Sequence, residues 1–522
     1  MPLFAGLDVS TQSCKLVIID SKKRTVIYID SIQYDKDLPE YQTRLGVISG
    51  LPEGCSESDP RMWIDAVNRV FENLQSSHVN IEDIRCISVS GQMHGLVALD
   101  KDGRLARPRS KLWNDYSTAE ECRILTEEVG GKEAMIREIS NTQRPGYTAP
   151  KILHMKRNEP ERYNKTSAFL VVHNYINWYL TGGIKLLEPG DASGTALWNP
   201  RTREWSQKVI SAIDPCLHKK LPPVCPPDRL IGPVSSYLVE KFGFSPACQI
   251  DAGNGDNMYG AVGTGNIFPG MVTVSLGTSG TAATILPEPF IDPAGEIASF
   301  CDSTGHYMPL LCVSNLANGY NQFRQQFNLS HEAFTQTVSK TEPANRGRVL
   351  IPWYSGERTP DLPQASPLYF GFKPEDFIPD IICRAVLEGH ILNLYEGFRR
   401  LPVKASEIRL TGGLSQSEAW VQAIADIFDT ETVPVEGEGA ALGAALHAAW
   451  VWGKDKDAEI TLENLVRDFV ATSSARRCAP RRRYREHIQL LRRLFHTLSA
   501  RMRGIECADD PFALHRRLSE LK

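Results

Sequence analysis

Short apolar runs broken by polar turns open the chain. FAGLD, KLVIID (15–20) and TVIYIDS (25–31) each read as a strand, and the turns STQS and DSKK between them predict a three-strand meander. At 61–76 the period becomes helical, with Met62, Trp63, Ala66, Val67, Val70, Phe71 and Leu74 on one face. CISVS (86–90) is the next strand, and GLVALD with the turn KDGR suggests a hairpin. Further on, MVTVSLGTSGTAATIL (271–286) repeats the strand, glycine-bearing turn, strand pattern. YMPLLCV (307–313) and IRLTG (408–412) are strands, 378–399 is a long helix, and another helix starts at about Gln416. A Gly/Ala-rich helix, GAALGAALHAAWVW, follows the motif VEGEG.

The two turn-bearing hairpins lie about 270 residues apart, which predicts two topologically similar α/β halves divided near residue 250. A chain of 522 residues is also too long for one ordinary core. The domains expected are therefore 1–250 and 251–522, the second with a basic helical extension from about 475. Residues 475–503 hold ten arginines and one glutamate, and from Tyr484 to Met502 the residues Ile488, Leu491, Phe495 and Leu498 share a face. That pattern fits a solvated helix packed on the body. It lacks the aromatic array of a single-strand nucleic-acid binder.

Charge narrows the partners. A net charge of −4 and a pI near 6.3 give no global basic field for nucleic acid or an anionic membrane. The start MPLFAGLDVS has no basic leader, and the longest apolar run, AALGAALHAAWVW (440–452), is too short to span a bilayer. The twelve cysteines include no pair at zinc-site spacing, which fits reduced, mostly buried thiols in the cytoplasm.

Candidate chemistry gathers at turns. In GLDVSTQSCK (6–15) a strand ends in Asp8, a carboxylate able to hold Mg²⁺. The hydroxyl-rich turn containing Thr11 can aim backbone N–H groups at an anion, and Lys15 adds positive charge. SLGTSGT (275–281) offers Gly277 and Thr278 in a second such turn, and TGGLSQSEAW (411–420) offers Gly412 and Gly413 for flat approach of a nucleoside. Each stretch alone also suits an ordinary β-turn; three together suit a nucleotide. The chain has no GxxxxGK[ST], and its glycine runs are misspaced for a dinucleotide fingerprint. In DAGNGDNMYGAVGTGN (251–266), Asp256 either caps a helix or takes a substrate proton.

Taken together, these stretches resemble the FGGY family of carbohydrate kinases over nearly the whole chain. The resemblance is carried by GLDVSTQSCK, SGQMHG (90–95), LWND (112–115), PGYTAPK (145–151), GDNMYGAVG (255–263), SLGTSGT, SGERTP (355–360), AVLEG (385–389), TGGLSQSE and GEGAALGAA. It implies an actin-like (ribonuclease H-like) two-domain α/β kinase fold with a cleft between the domains. The N-terminal domain would bind mainly sugar and the C-terminal one mainly ATP. In family terms Asp256 is the general base, while Met93, His94, Arg144 and Asn257 fall where relatives bind sugar. Thr278, Gly412, Gly413 and Ser417 match ATP-binding positions, with Gly277, Thr11 and Lys15 in the phosphate turns and Asp8 near Mg²⁺.

SGQMHG, GDN and SGERTP point to the pentulose branch, hence to ATP-dependent phosphorylation of D-xylulose at its 5-hydroxyl. Another ketose or polyol, such as ribulose or sedoheptulose, is the alternative with the same machinery. A non-sugar actin-like ATPase is the alternative of a different class, against which SGQMHG and Asp256 speak. Departures from the family pattern are Ser10 in the first turn, His154 in place of a signature tryptophan, and His173–Asn174. The resemblance allows a homodimer.

Overall fold

The meander forms as expected, from Leu3–Val9, Ser13–Asp20 and Thr25–Gln33. A computed structural model describes residues 2–354, 356–437, 439–456 and 460–521; Ser355 of SGERTP and Glu438 of GEGAALGAA lie outside the described residues. Leu3–Val9 pairs antiparallel with Ser13–Asp20 and parallel with Ile84–Gly91. Ile84–Gly91 in turn pairs parallel with Gln249–Asp251. Because side chains alternate across a strand, Leu3, Ala5, Leu7 and Val9 pack in one core cluster with the helix Pro60–Gln75, whose expected stripe is fully buried. Phe4 points the other way, into a cluster built on the helix Gly439–Asp455.

The second sheet repeats this plan. Met271–Leu276 pairs antiparallel with Gly280–Thr284 and parallel with Glu407–Thr411. Gly280–Thr284 continues to Tyr307–Val313, and Glu407–Thr411 to Thr432–Glu436. Each sheet is thus a hairpin extended on one side by parallel strands. The two-domain α/β architecture with mixed sheets, of the actin-like kind, matches the expectation.

The compact units are interleaved. One comprises Met1–Ile267, Leu286–Met308 and Gly437–Ala471; the other comprises Phe268–Ile285, Pro309–Glu436 and Thr472–Lys522. A cut near 250 differs from this, because the chain returns twice to the first unit. The helix Gly439–Asp455 is apolar nearly all round, so it is buried against the first unit's strands.

Two local expectations shift. The helix expected from about Gln416 begins at Glu418, after a 3₁₀ turn over Gly413–Gln416. Val97–Leu99 closes a turn in which Ala106 N donates to Ala98 O, but its ladder partner is Ala168–Leu170, distant in sequence. The expected basic extension forms the helix Arg485–Met502, burying Ile488, Leu491, Phe495 and Leu498 and also Leu490 and Leu494. Arginines flanking and within it pair with acids, among them Arg477 with Glu407, Arg481 with Asp426 and Arg493 with Asp509. No described helix is long and apolar enough to cross a membrane.

Candidate active site

In the first unit, Asp256 is the first residue of the helix Asp256–Gly263, with Gly255 at the N-cap position. Asp256 is therefore not the capping residue of this helix. Its Oδ1 accepts from Asn257 Nδ2 at 2.9 Å, and the same nitrogen lies 3.5 Å from Met93 Sδ. Asp256, Asn257 and Met93 therefore form one contiguous group. Burial raises the Asp256 carboxyl to about 8, helped by the nearby charges of Asp8 and Asp191 and opposed by hydrogen bonds from Asn257.

Asp8, near the end of its strand, accepts from Ser90 Oγ at 2.7 Å on the neighbouring strand. Burial pushes its carboxyl up to about 6, against the Ser90 bond and the charge of Lys15. Lys15 stands opposite Asp8 in the antiparallel register. Thr11 Oγ1 accepts from Trp113 Nε1 at 2.9 Å, so the first turn is tied to the LWND segment.

His94 adopts φ +67°, and its Nδ1 is 2.7 Å from the carbonyl of Gly194. Its ring lies 4.5 Å from that of Tyr147 and 6.0 Å from that of Phe300, which hold it on two sides. Lys151, fully buried, donates to the carbonyls of His94 and Gly146 at 2.8 and 2.7 Å. Arg144 is placed differently. Its Nη2 donates to the carbonyls of Gly295 and Glu296, both at 2.9 Å, so it anchors a loop of the Leu286–Met308 excursion. Of the departures, His173 is buried, with Nδ1 2.7 Å from Asp191 Oδ2.

Asp191 and Phe300 were not singled out from sequence. GDASGT (190–195), a run of small and polar residues, could have signalled Asp191. Nothing local could have brought Phe300 to His94, more than two hundred positions away.

In the second unit, Gly277, Thr278, Gly413 and Ser417 line one cavity of about 740 Å³, together with Thr335 and Gln416. Thr335 Oγ1 and Ser417 Oγ are 3.2 Å apart. Gly412 stands behind the wall: its φ is +86°, and a Cβ there would lie 2.7 Å from the carbonyl of Leu276. A Cβ on Gly413 would meet nothing within 4 Å, leaving a flat backbone surface. The volume falls in the range of small-molecule sites, and hydroxyls beside bare backbone suit a nucleoside and its phosphates. The ATP-site expectations thus divide, with Thr11 and Lys15 in the first unit and the others in the second.

Comparison with known proteins finds two family domains along the chain. Residues 3–263 match the N-terminal domain of the FGGY family of carbohydrate kinases, and residues 272–452 match its C-terminal domain. A xylulose kinase from Haemophilus influenzae is 33% identical over 479 residues, covering 90% of this chain and 93% of that protein. One from Bacillus subtilis is 30% identical over 484 residues, covering 90% and 92%. The ligand-bound xylulose kinase from Lactobacillus acidophilus shares the fold, with a TM-score of 0.86 at 24% identity over 97% of this chain and 99% of that one. With both family domains in tandem and relatives this similar along most of its length, the chain belongs to the FGGY family of carbohydrate kinases.

Proposed function

We propose that the chain transfers the γ-phosphoryl group of ATP to the 5-hydroxyl of D-xylulose, with Asp256 as general base. The observation that carries the reading is the group formed by Asp256, Asn257 and Met93, with the His94 ring fixed close by on the same strand end. Relatives that match about nine-tenths of the chain at 30% identity or more are named xylulose kinases, which supports the choice of sugar.

A sugar hydroxyl is a poor nucleophile until its proton leaves. The Asp256 carboxylate accepts that proton as the new O–P bond forms and the bond to the β-phosphate oxygen breaks, releasing ADP. Such a base is worth roughly 10²–10⁴-fold. Alignment and charge stabilisation supply the rest: Met93, His94 and Asn257 orient the sugar, Gly277, Thr278, Gly413 and Ser417 receive the nucleotide, Gly412 lets the wall behind them pack close, and Thr11 and Lys15 meet its phosphates. Asp8 would hold Mg²⁺: its carboxylate is a hard oxygen donor. When bound, Mg²⁺ offsets negative charge on the phosphates. Arg144 contributes by fixing the loop at Gly295 and Glu296. In this reading the enzyme works in the cytoplasm.

A coupled ADP-release assay over pentuloses, hexuloses and polyols tests the proposal. D-xylulose should give the highest kcat/KM, and Asp256→Ala should abolish turnover while ATP still binds. A better sugar than D-xylulose overturns the substrate; turnover in the variant overturns the base.

A further inference from the structure

The match to the C-terminal family domain ends at residue 452, yet Thr472–Lys522 belongs to the second unit. The first arginine of this segment reaches the wall of the nucleotide cavity. Arg476 uses its whole guanidinium: Nε donates to Ser473 Oγ at 3.0 Å, Nη2 to Glu436 Oε1 at 3.3 Å and Nη1 to Gln416 Oε1 at 2.6 Å. Beside it, Ala475, Arg476 and Arg477 line a second cavity of about 360 Å³ that shares Thr335 and Glu418 with the first.

A guanidinium carries donors only, so it decides which way a carboxamide faces. The oxygen of Gln416 must turn to Arg476, and the amide nitrogen is left for other partners. The described contact of Nε2 is Ser415 Oγ at 3.5 Å, at the outer limit for a hydrogen bond. The Ser415 hydroxyl itself donates to the carbonyl of Gly412 at 2.7 Å. Gln416 also lines the cavity. Its N–H donor is therefore both fixed in direction and weakly used.

We propose that Arg476 is a positioning residue that holds the Gln416 side chain so that its amide N–H meets a hydrogen-bond acceptor on the adenine or ribose of the bound nucleotide. This rests on the assignment of that cavity to ATP. An unpinned carboxamide could present oxygen or nitrogen; a pinned one presents only the donor and disfavours a nucleoside with a donor at that point. The arginine segment thereby acts on nucleotide recognition as well as on packing.

Calorimetric titration of the full chain with adenosine, which carries no phosphate charge, tests this. Gln416→Glu keeps an acceptor for Arg476 and removes the donor. Adenosine affinity should fall roughly fivefold, as for Gln416→Leu, the scale of one hydrogen bond. Arg476→Ala should cost a few-fold, Arg476→Lys should recover most of it, and the double variant Arg476→Ala/Gln416→Leu should be no worse than Gln416→Leu alone. KM for the sugar should not move. Wild-type affinity in Gln416→Glu, or losses that multiply in the double variant, overturn the proposal. Unchanged adenosine affinity in Gly413→Val shows instead that the cavity is not the nucleotide site, and the proposal falls with that assignment.

Discussion

The Asp256 carboxyl lies in a helix first turn, which favours its charge, yet burial and the carboxylates of Asp8 and Asp191 outweigh that and raise it to about 8 from 3.8. A carboxyl that holds its proton more tightly when folded favours folding at low pH. That contribution is complete below about 3.8 and is lost progressively as pH rises to about 8. Asp256→Asn cannot ionise. Without sugar, nucleotide or divalent ion, its melting temperature should gain on the wild type steadily from pH 4 to pH 8, and Asp191→Asn should move the wild-type window to lower pH. A melting difference independent of pH would show that Asp256 is an ordinary carboxylate. GDN was legible in sequence as a candidate base; the raised proton affinity was not, because two of its causes lie far away in sequence, Asp8 on a strand and Asp191 in the short helix Pro189–Gly194.

Glycines in the same kind of motif have opposite uses at the level of elements. The helix Asp256–Gly263 crosses Gly439–Asp455 so closely that a Cβ on Gly443 would sit 1.9 Å from the carbonyl of Tyr259. His447 on the second helix is buried but satisfied, with Nδ1 2.8 Å from Asp251 Oδ2 and Nε2 2.9 Å from the Ser303 carbonyl. Gly443→Val should therefore destabilise the protein by at least the ~1–3 kcal/mol of an overpacked core, and should displace the Asp256 helix and lower kcat. Gly413→Val adds its side chain to open space, so stability in denaturant should hold while ATP affinity drops. If both variants lose stability alike, or neither does, this distinction is wrong. The sequence marked GAALGAA and TGG as glycine-rich; only the crossing showed which glycine is needed for contact and which for vacancy.

For the whole molecule, the arginine-rich tail is part of the second unit's core. The helix Arg485–Met502 packs on the helices Pro379–Phe398 and Glu418–Phe428 and on the strand Val349–Ile351, and Leu494 and Phe495 are wholly buried. A chain ending at residue 471 should be insoluble or unfolded, and Phe495→Ala should cost about 3–5 kcal/mol in equilibrium unfolding. A folded, active truncation would show the tail to be an appendage. Much of its charge is paired within the protein: Arg477, Arg481, Arg485 and Arg493 each face a carboxylate.

The sequence by itself determined what depends on near neighbours: strand alternation in the meander, the stripe of Pro60–Gln75, the repeated hairpins and the acidic and glycine-bearing motifs of a carbohydrate kinase. These are legible because backbone geometry fixes side-chain direction within a few residues. Only the tertiary structure decided that Gly437–Ala471 returns to the first unit, that Arg144 holds a loop, that Phe300 flanks His94 and that Arg476 turns Gln416. Burial and electrostatic proximity join residues hundreds of positions apart, and no local pattern encodes those distances.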